Sequence, residues 1–546
     1  MTVDELAAHA PAGNLPARRD AGRPLIGPAL RTLAGWLALL ALWEYLARGP
    51  LDGTHLIAAP TAIVADAVDK AALYGRALYI TGYEAFWGYV WGNLAAVLLA
   101  LVVAIAPIAE RFVLRIALVV YCLPLVALGP LLRLVWGLGE GPQITLSAIA
   151  VYYMTLIPLL VGLRAVPALW TELVESYGRG RFVVLMVVRL RACVPYLAAG
   201  AQVAVPAAFL GALVGEFTGA DRGIGVLSIL ALRSLDTDGL WALSAINAAV
   251  SVAGYALVGW VGRLLTAHQP TVLLAPPASA TRRRPWWQRV VLGLGEAAFT
   301  VLALIAGWIS FLRLFDLNPY FAKTPAQVWE YLVTAPAAGP NRDAILAALG
   351  STAAVAVPGY LAGLALGALA AALFELAPSV RRTMTPVAVA LRCVPIVAIA
   401  PLLVQALGRG SVGTTSVVAL MTFFPTLVAC MYGLRQAPGQ VTDFFDVFAT
   451  PAWRTLLLAR VPAMAPAFFS AARIAAPSAI LAATVAEWLA TGTGIGNYLA
   501  VTAATSKYAA LWSSVVVVTI AAVAVYWVVE VVERVVLGQV APEQTR

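Results

Sequence analysis

The chain has 546 residues, 62% of them hydrophobic and 12% charged, with 36 Lys and Arg against 27 Asp and Glu for a formal net charge of +9. Soluble globular domains carry about 45–50% apolar and about 25% charged residues. An ordinary soluble enzyme is therefore excluded, because the charges are too few to clothe the surfaces that a chain of this length would need.

The positive balance follows the loops rather than a nucleic-acid-binding face. With alternate loops assigned to opposite sides, 23 of the 36 cations fall on one side and 11 on the other, and Arg392 and Arg473 fall at membrane depth. That is the Lys/Arg bias of cytoplasmic loops. Residues 1–24 are polar and Arg-containing and read as a cytoplasmic tail ahead of a retained first segment, with no cleavable signal peptide. Stretches free of Asp, Glu, Lys and Arg run 85–109, 141–163, 192–215, 239–262, 344–374, 410–434 and 508–529. Each passes the length of about 18 residues that marks a candidate membrane helix.

In chain order, spanning segments are expected near 25–46, 85–107, 112–136, 143–163, 196–217 and 240–262. A Pro- and Arg-rich cytoplasmic linker follows over 266–289. Six more segments are expected near 290–312, 353–374, 383–407, 412–433, 467–489 and 510–532, with a short tail over 539–546. The halves repeat. Cys122-Leu-Pro-Leu-Val-Ala-Leu-Gly-Pro130 matches Cys393-Val-Pro-Ile-Val-Ala-Ile-Ala-Pro401 at an offset of 271, and the same offset carries Gly88 to Gly359, Glu216 to Glu487 and Trp241 to Trp512. Trp43 and Pro60 match Trp308 and Pro325 at an offset of 265. Residues 25–265 and 290–538 are thus two copies of one unit. Six helices per copy is an even number, so the copies are parallel and both chain ends lie on the cytoplasmic side. The expected fold is an all-α polytopic membrane protein of about twelve helices in two parallel six-helix repeats around one central path.

The fourth and fifth segments of each copy are joined by a long amphipathic stretch. The first reads Glu172-Leu-Val-Glu-Ser-Tyr-Gly178, nine residues, then Val188-Arg-Leu-Arg191. The second reads Asp443-Phe-Phe-Asp-Val-Phe-Ala449, nine residues, then Ala459-Arg-Val-Pro462. A short helix on such a loop can insert into a groove of a soluble partner. These loops, with Val214-Gly-Glu-Phe217 and Gly223-Ile-Gly225 in the first copy and Val485-Ala-Glu-Trp488 and Gly494-Ile-Gly496 in the second, resemble the inner-membrane permeases of binding-protein-dependent ABC importers. The likeness is greatest to the nitrate, sulfonate and taurine branch. It covers nearly the whole chain twice, as two permease units fused head to tail.

The resemblance implies a type I importer permease in a bacterial inner membrane, with two copies of an ATPase below and an extracytoplasmic substrate-binding protein above. It assigns ATPase coupling to Glu172, Glu175, Gly178, Asp443, Asp446, Ala449 and Pro462. The first copy departs from the family pattern in having Arg191 where Pro is usual, and the second in having Asp443 and Ala449 for Glu and Gly. The solute would be a small anion of the nitrate, sulfonate or taurine kind, or a vitamin precursor. ATP and magnesium belong to the partner: a phosphate-binding loop needs Gly-Lys-Ser/Thr, and Lys70, Lys323 and Lys507 all follow other residues.

A carboxylate at membrane depth costs about 2.5 kcal/mol or more unless paired or solvated, so the matched Glu216 and Glu487 are candidates for the translocation path or gate. The bland reading is a helix-end charge bound to the Gly-rich turn that follows. Gln202 and its counterpart Arg473 begin the same helices and are gate candidates too. No residue grouping suggests catalysis or metal binding. An ion channel or gradient-driven transporter is the alternative from another class.

Overall fold

The computed structural model describes residues 26–50, 57–166, 168–266, 286–377 and 411–540, with 380, 384, 400, 403–404, 407–408 and 410 besides. Among them the chain is helical throughout. A lipid-immersed backbone must satisfy its own polar groups, which a helix does within one segment. The first repeat comprises α1 (Ile26–Arg48), α2 (Pro60–Asp69), α3 (Ala71–Ile105), α4 (Ala109–Tyr121), α5 (Leu125–Trp136), α6 (Gly141–Arg164), α7 (Ala168–Ser176), α8 (Leu190–Phe217), α9 (Ile224–Ser234) and α10 (Thr237–Thr266). The second comprises α11 (Trp286–Leu314), α12 (Pro325–Trp329), α13 (Ala338–Leu376), α14 (Ser411–Gly433), α15 (Gly439–Val447), α16 (Val461–Ala486), α17 (Gly494–Ala504) and α18 (Tyr508–Val540).

Among the described residues, nine helices are long and apolar enough to cross a membrane, and α4 with α5, bent by 95° to one another, make a tenth if they form one span. The 23 residues of α1 would reach about 35 Å at 1.5 Å per residue. Most of the span expected near 383–407, the N-terminal tail, most of the C-terminal tail and most of the linker lie outside the described residues.

The bend follows from Cys122-Leu-Pro124, since Pro124 cannot donate a hydrogen bond and its ring obstructs the preceding turn. The bent pair still connects the two sides. Glu110, at its start, pairs with Arg164 at the end of α6, whereas Arg133, near its finish, lies against Gly219 beyond the far end of α8.

Several elements outgrow the sequence reading. The second segment of each copy begins earlier than expected, running over Ala71–Ile105 and Ala338–Leu376. The short helices α9 and α17 occupy what reads as a Gly-rich turn.

One core joins the repeats. Leu125, Leu146 and Val214 of the first share a buried cluster with Val417, Val418, Ala482 and Ala483 of the second. Small residues dominate the second repeat's side of it, where Ala475, Ala476, Ala479, Ala482, Ala483 and Ala486 are buried along α16. Without water to expel, close backbone approach supplies the packing that holds membrane helices together.

Candidate functional site

The bend places Tyr121 to Leu125 at the junction of the repeats, where they line a cavity of about 70 Å³. Its lining includes the matched positions Ala150 and Met421, Ala207 and Ser478, and Leu210 and Leu481. It therefore straddles the axis relating the copies. Tyr121 Oη shares a hydrogen bond of 2.9 Å with Ser478 Oγ, and it lies 3.3 Å from the carbonyl of Ile474, to which it can donate. The Tyr121 ring stacks on Tyr153 at 4.3 Å between centroids. The hydrogen bonds of Tyr121 bridge the halves at the cavity, and none of its described lining residues is charged. Ligand pockets usually enclose about 300–1,000 Å³, so the described cavity is smaller than a typical ligand site. Arg392 stands at the Tyr121 position of the second repeat and lies outside the described residues.

The matched carboxylates are buried, at 1% exposure for Glu216 and 3% for Glu487. Glu216 accepts from Thr81 Oγ1 at 2.6 Å and from the Gly225 amide, while Thr81 Oγ1 accepts from the Ile224 amide at 2.9 Å. The second repeat repeats every bond. Glu487 accepts from Thr352 Oγ1 at 2.8 Å and from the Gly496 amide at 2.9 Å, and Thr352 Oγ1 accepts from the Ile495 amide at 2.8 Å.

Each carboxylate thus satisfies free amides at the start of α9 or α17, where a negative charge meets the positive end of the helix. The glycines follow from that geometry. Gly223 and Gly494 take positive φ values of 123° and 82°, and a Cβ on either would overlap the carboxylate. This is the arrangement of the helix-end reading. Thr81 and Thr352, which the sequence reading missed, lie 271 residues apart, so the repeat offset was the signal for them. Glu84, also missed, is buried at 1% exposure with Oε2 unpartnered, and Val355 replaces it in the second repeat.

Gln202 and Arg473 anchor the fifth helix of each repeat to the sixth in different ways. Gln202 Nε2 donates to the Tyr255 carbonyl at 3.3 Å. Arg473 pairs with Glu533 at 3.2 Å and lies 5.7 Å from the Tyr526 ring centroid. Tyr255 and Tyr526 are counterparts, and Gly262 stands where Glu533 does. Cation and anion are therefore present together or absent together. Neither Gln202 nor Arg473 lines the central cavity.

The two loop helices α7 and α15 have nine residues each. Both end in the same turn. The Gly178 amide bonds the Glu175 carbonyl at 2.9 Å and Arg179 bonds Val174 at 3.4 Å; Ala449 bonds Asp446 and Thr450 bonds Phe445, each at 3.0 Å. The residue past the helix is left-handed in both, with φ 71° at Gly178 and 46° at Ala449, as this C-terminal motif requires.

Glu172, Glu175, Asp443 and Asp446 are exposed. So are large apolar groups beside them, including Leu173, Tyr177, Phe444 and Phe448, with Tyr177 at 78% and Val447 at 81%. Pro462, half-buried, lies in the first turn of α16. A π-turn precedes the fifth helix in both repeats, over Val184–Arg189 and Leu456–Arg460, and the second is tied down where Arg460 pairs with Glu375.

The family described as binding-protein-dependent transport system inner membrane component matches the chain twice, over residues 92–268 and 363–538. The chain belongs to this family. As a permease it has curated relatives of single-repeat length. One is a probable ABC transporter permease protein of Haemophilus influenzae, 28% identical over 223 residues, which are 41% of this chain and 91% of the relative. Another is the formylaminopyrimidine transport permease protein ThiX of Halalkalibacterium halodurans, 27% identical over 37% of this chain and 79% of the relative. A third is the riboflavin transport system permease protein RibX of Chloroflexus aurantiacus, 30% identical over 26% of this chain and 53% of the relative. No solved structure matches the chain. The double match fits the repeat read from the sequence, and the permease is a transport subunit rather than an enzyme.

Proposed function

We propose that this permease forms the whole translocation path of an ABC importer in one chain, each repeat supplying one half. The observation that carries the reading is the small cavity on the repeat axis, lined by equivalent positions of both copies. Parting the halves breaks the Tyr121–Ser478 hydrogen bond and opens the path. The force comes from a separate ATPase, two copies of which hold α7 and α15 in grooves through their acidic and aromatic faces. ATP and magnesium sit on that partner, and an extracytoplasmic binding protein delivers the solute on the opposite side. The loops of α7 and α15, and both termini, are cytoplasmic.

The solute is an uncharged, flat molecule of the vitamin-precursor kind rather than a nitrate- or taurine-like anion. Two relatives are named for formylaminopyrimidine and riboflavin transport. The described cavity wall offers the Tyr121 ring, Met154 and Met421, and the hydroxyls of Tyr121 and Ser478, which suit a polarisable ring with few hydrogen-bonding groups.

The test is ATP hydrolysis and uptake by the permease reconstituted with its ATPase and binding protein, with pyrimidines, flavins, nitrate and taurine offered in turn. Stimulation by a pyrimidine or flavin supports the reading. Stimulation by nitrate or taurine alone returns the solute to the anion class. Solute or ion flux without ATP or partners favours a channel.

A further inference from the structure

The repeats present opposite chemistry at one matched corner, on the side away from α7 and α15. In the first repeat the corner is closed by charge. Lys70 Nζ pairs with Asp66 at 2.5 Å and with Asp236 at 2.9 Å. In the second, Tyr331 stands for Asp66, Ala335 for Lys70 and Lys507 for Asp236.

The backbone turn before Asp236 and Lys507 is the same in both. Leu235 and Ser506 both take φ 57°, and the next amide bonds back to Ala231 or Thr502, each at 2.9 Å. Where the first repeat has an ion-paired corner, the second has an open cavity of about 300 Å³, lined by Tyr320, Lys323, Tyr331, Ser506, Lys507 and Tyr508.

None of its described lining residues is Asp or Glu. Lys323 Nζ donates to the Pro319 carbonyl at 2.9 Å and lies 5.8 Å from the Tyr320 ring centroid, which leaves further ammonium protons free. Lys507 has no ion pair among the described residues. Tyr320, Phe321 and Tyr508 brace one another, with centroids 5.0 to 5.8 Å apart, so the walls are set before anything binds. Two ammonium groups on one cavity repel unless an anion lies between them. The opening turn of α18, which adds Ala509 and Ala510 to the lining, contributes backbone amides of the same polarity.

We propose that this corner is an oxyanion site peculiar to the second repeat, taking a phosphate, sulfate or carboxylate group at the membrane surface. Lys323 and Lys507 hold the charge, and the tyrosine hydroxyls complete its hydrogen bonds. The site does not depend on the transport reading. The same chemistry is offered by a free oxyanion and by the phosphate of an anionic lipid at this depth.

The test measures the melting temperature of the full chain in lipid nanodiscs, wild type against Lys323→Gln/Lys507→Gln. One arm titrates inorganic phosphate or sulfate against chloride at equal ionic strength in phosphatidylcholine discs. The other replaces part of the phosphatidylcholine by phosphatidylglycerol. A ligand that binds only the folded chain raises its melting temperature by mass action, so the wild type should gain several degrees that the double variant loses. A gain in the first arm identifies a free oxyanion, and a gain confined to the second identifies a lipid phosphate. General salt stabilisation moves both proteins alike. Should the double variant not fold, Lys507→Gln alone, at an exposed position, replaces it. Equal responses of wild type and variant in both arms would overturn the proposal.

Discussion

Ala449 holds a left-handed conformation that its counterpart Gly178 adopts without penalty. For a residue with a Cβ that conformation costs roughly 1–2 kcal/mol. Ala449→Gly should therefore stabilise the end of α15 by about 0.5–1 kcal/mol once the greater freedom of unfolded glycine is offset. Gly178→Val should fray α7 instead. Hydrogen exchange of the two loop helices reads both, as slower exchange in the first variant and faster in the second.

The buried carboxylates make a sharper case. Thr81→Val or Thr352→Val leaves Glu216 or Glu487 short of a donor, and an unmet buried partner costs about 1–3 kcal/mol. Thermal melting should show the loss in either variant. Glu216→Gln and Glu487→Gln keep the volume and should assemble, yet reduce uptake; normal uptake by the double Gln variant would leave these residues a structural role alone. The glutamates were legible because a charge in an apolar run stands out. Their threonine partners were not, since Thr is unremarkable inside a membrane helix and only the offset of 271 joins them.

Among elements, the long apolar helices were read in the right order wherever they are described, because hydropathy over about 20 residues reflects the same constraint the bilayer imposes. The short helices α9 and α17 were hidden, since their formation depends on a tertiary partner: a carboxylate from the preceding helix meets their free amides. The link between the fifth and sixth helices was half visible, as Arg473 without Glu533. Breaking a fully buried ion pair by removing one partner costs about 3–5 kcal/mol, and this half-exposed pair should cost less. Arg473→Gln alone should lower stability, whereas Arg473→Gln with Glu533→Gly recreates the first repeat's neutral arrangement and should recover part of the loss. A double-mutant cycle in thermal melting measures the coupling; strict additivity would show that the two residues do not interact.

For the whole molecule, the Lys/Arg asymmetry and the even helix count predict that cysteines introduced within 171–181 and 442–452 label from the cytoplasm, and those within 221–238 and 320–343 from outside. External labelling of 442–452 would contradict the parallel arrangement. The repeat made the two-half plan legible, whereas the central cavity was not, because Tyr121 and Ser478 meet from positions 357 residues apart and neither departs from its apolar surroundings in the sequence. The account rests on force entering through both loop helices. Its most direct test is solute-stimulated ATP hydrolysis by the reconstituted complex, comparing the wild type with Glu172→Lys/Asp443→Lys at equal amounts of inserted permease. The substitutions reverse charges on exposed helices outside the bilayer, so the variant should insert normally and lose the stimulation together with its hold on the ATPase. Full stimulation by the doubly reversed chain would contradict the account.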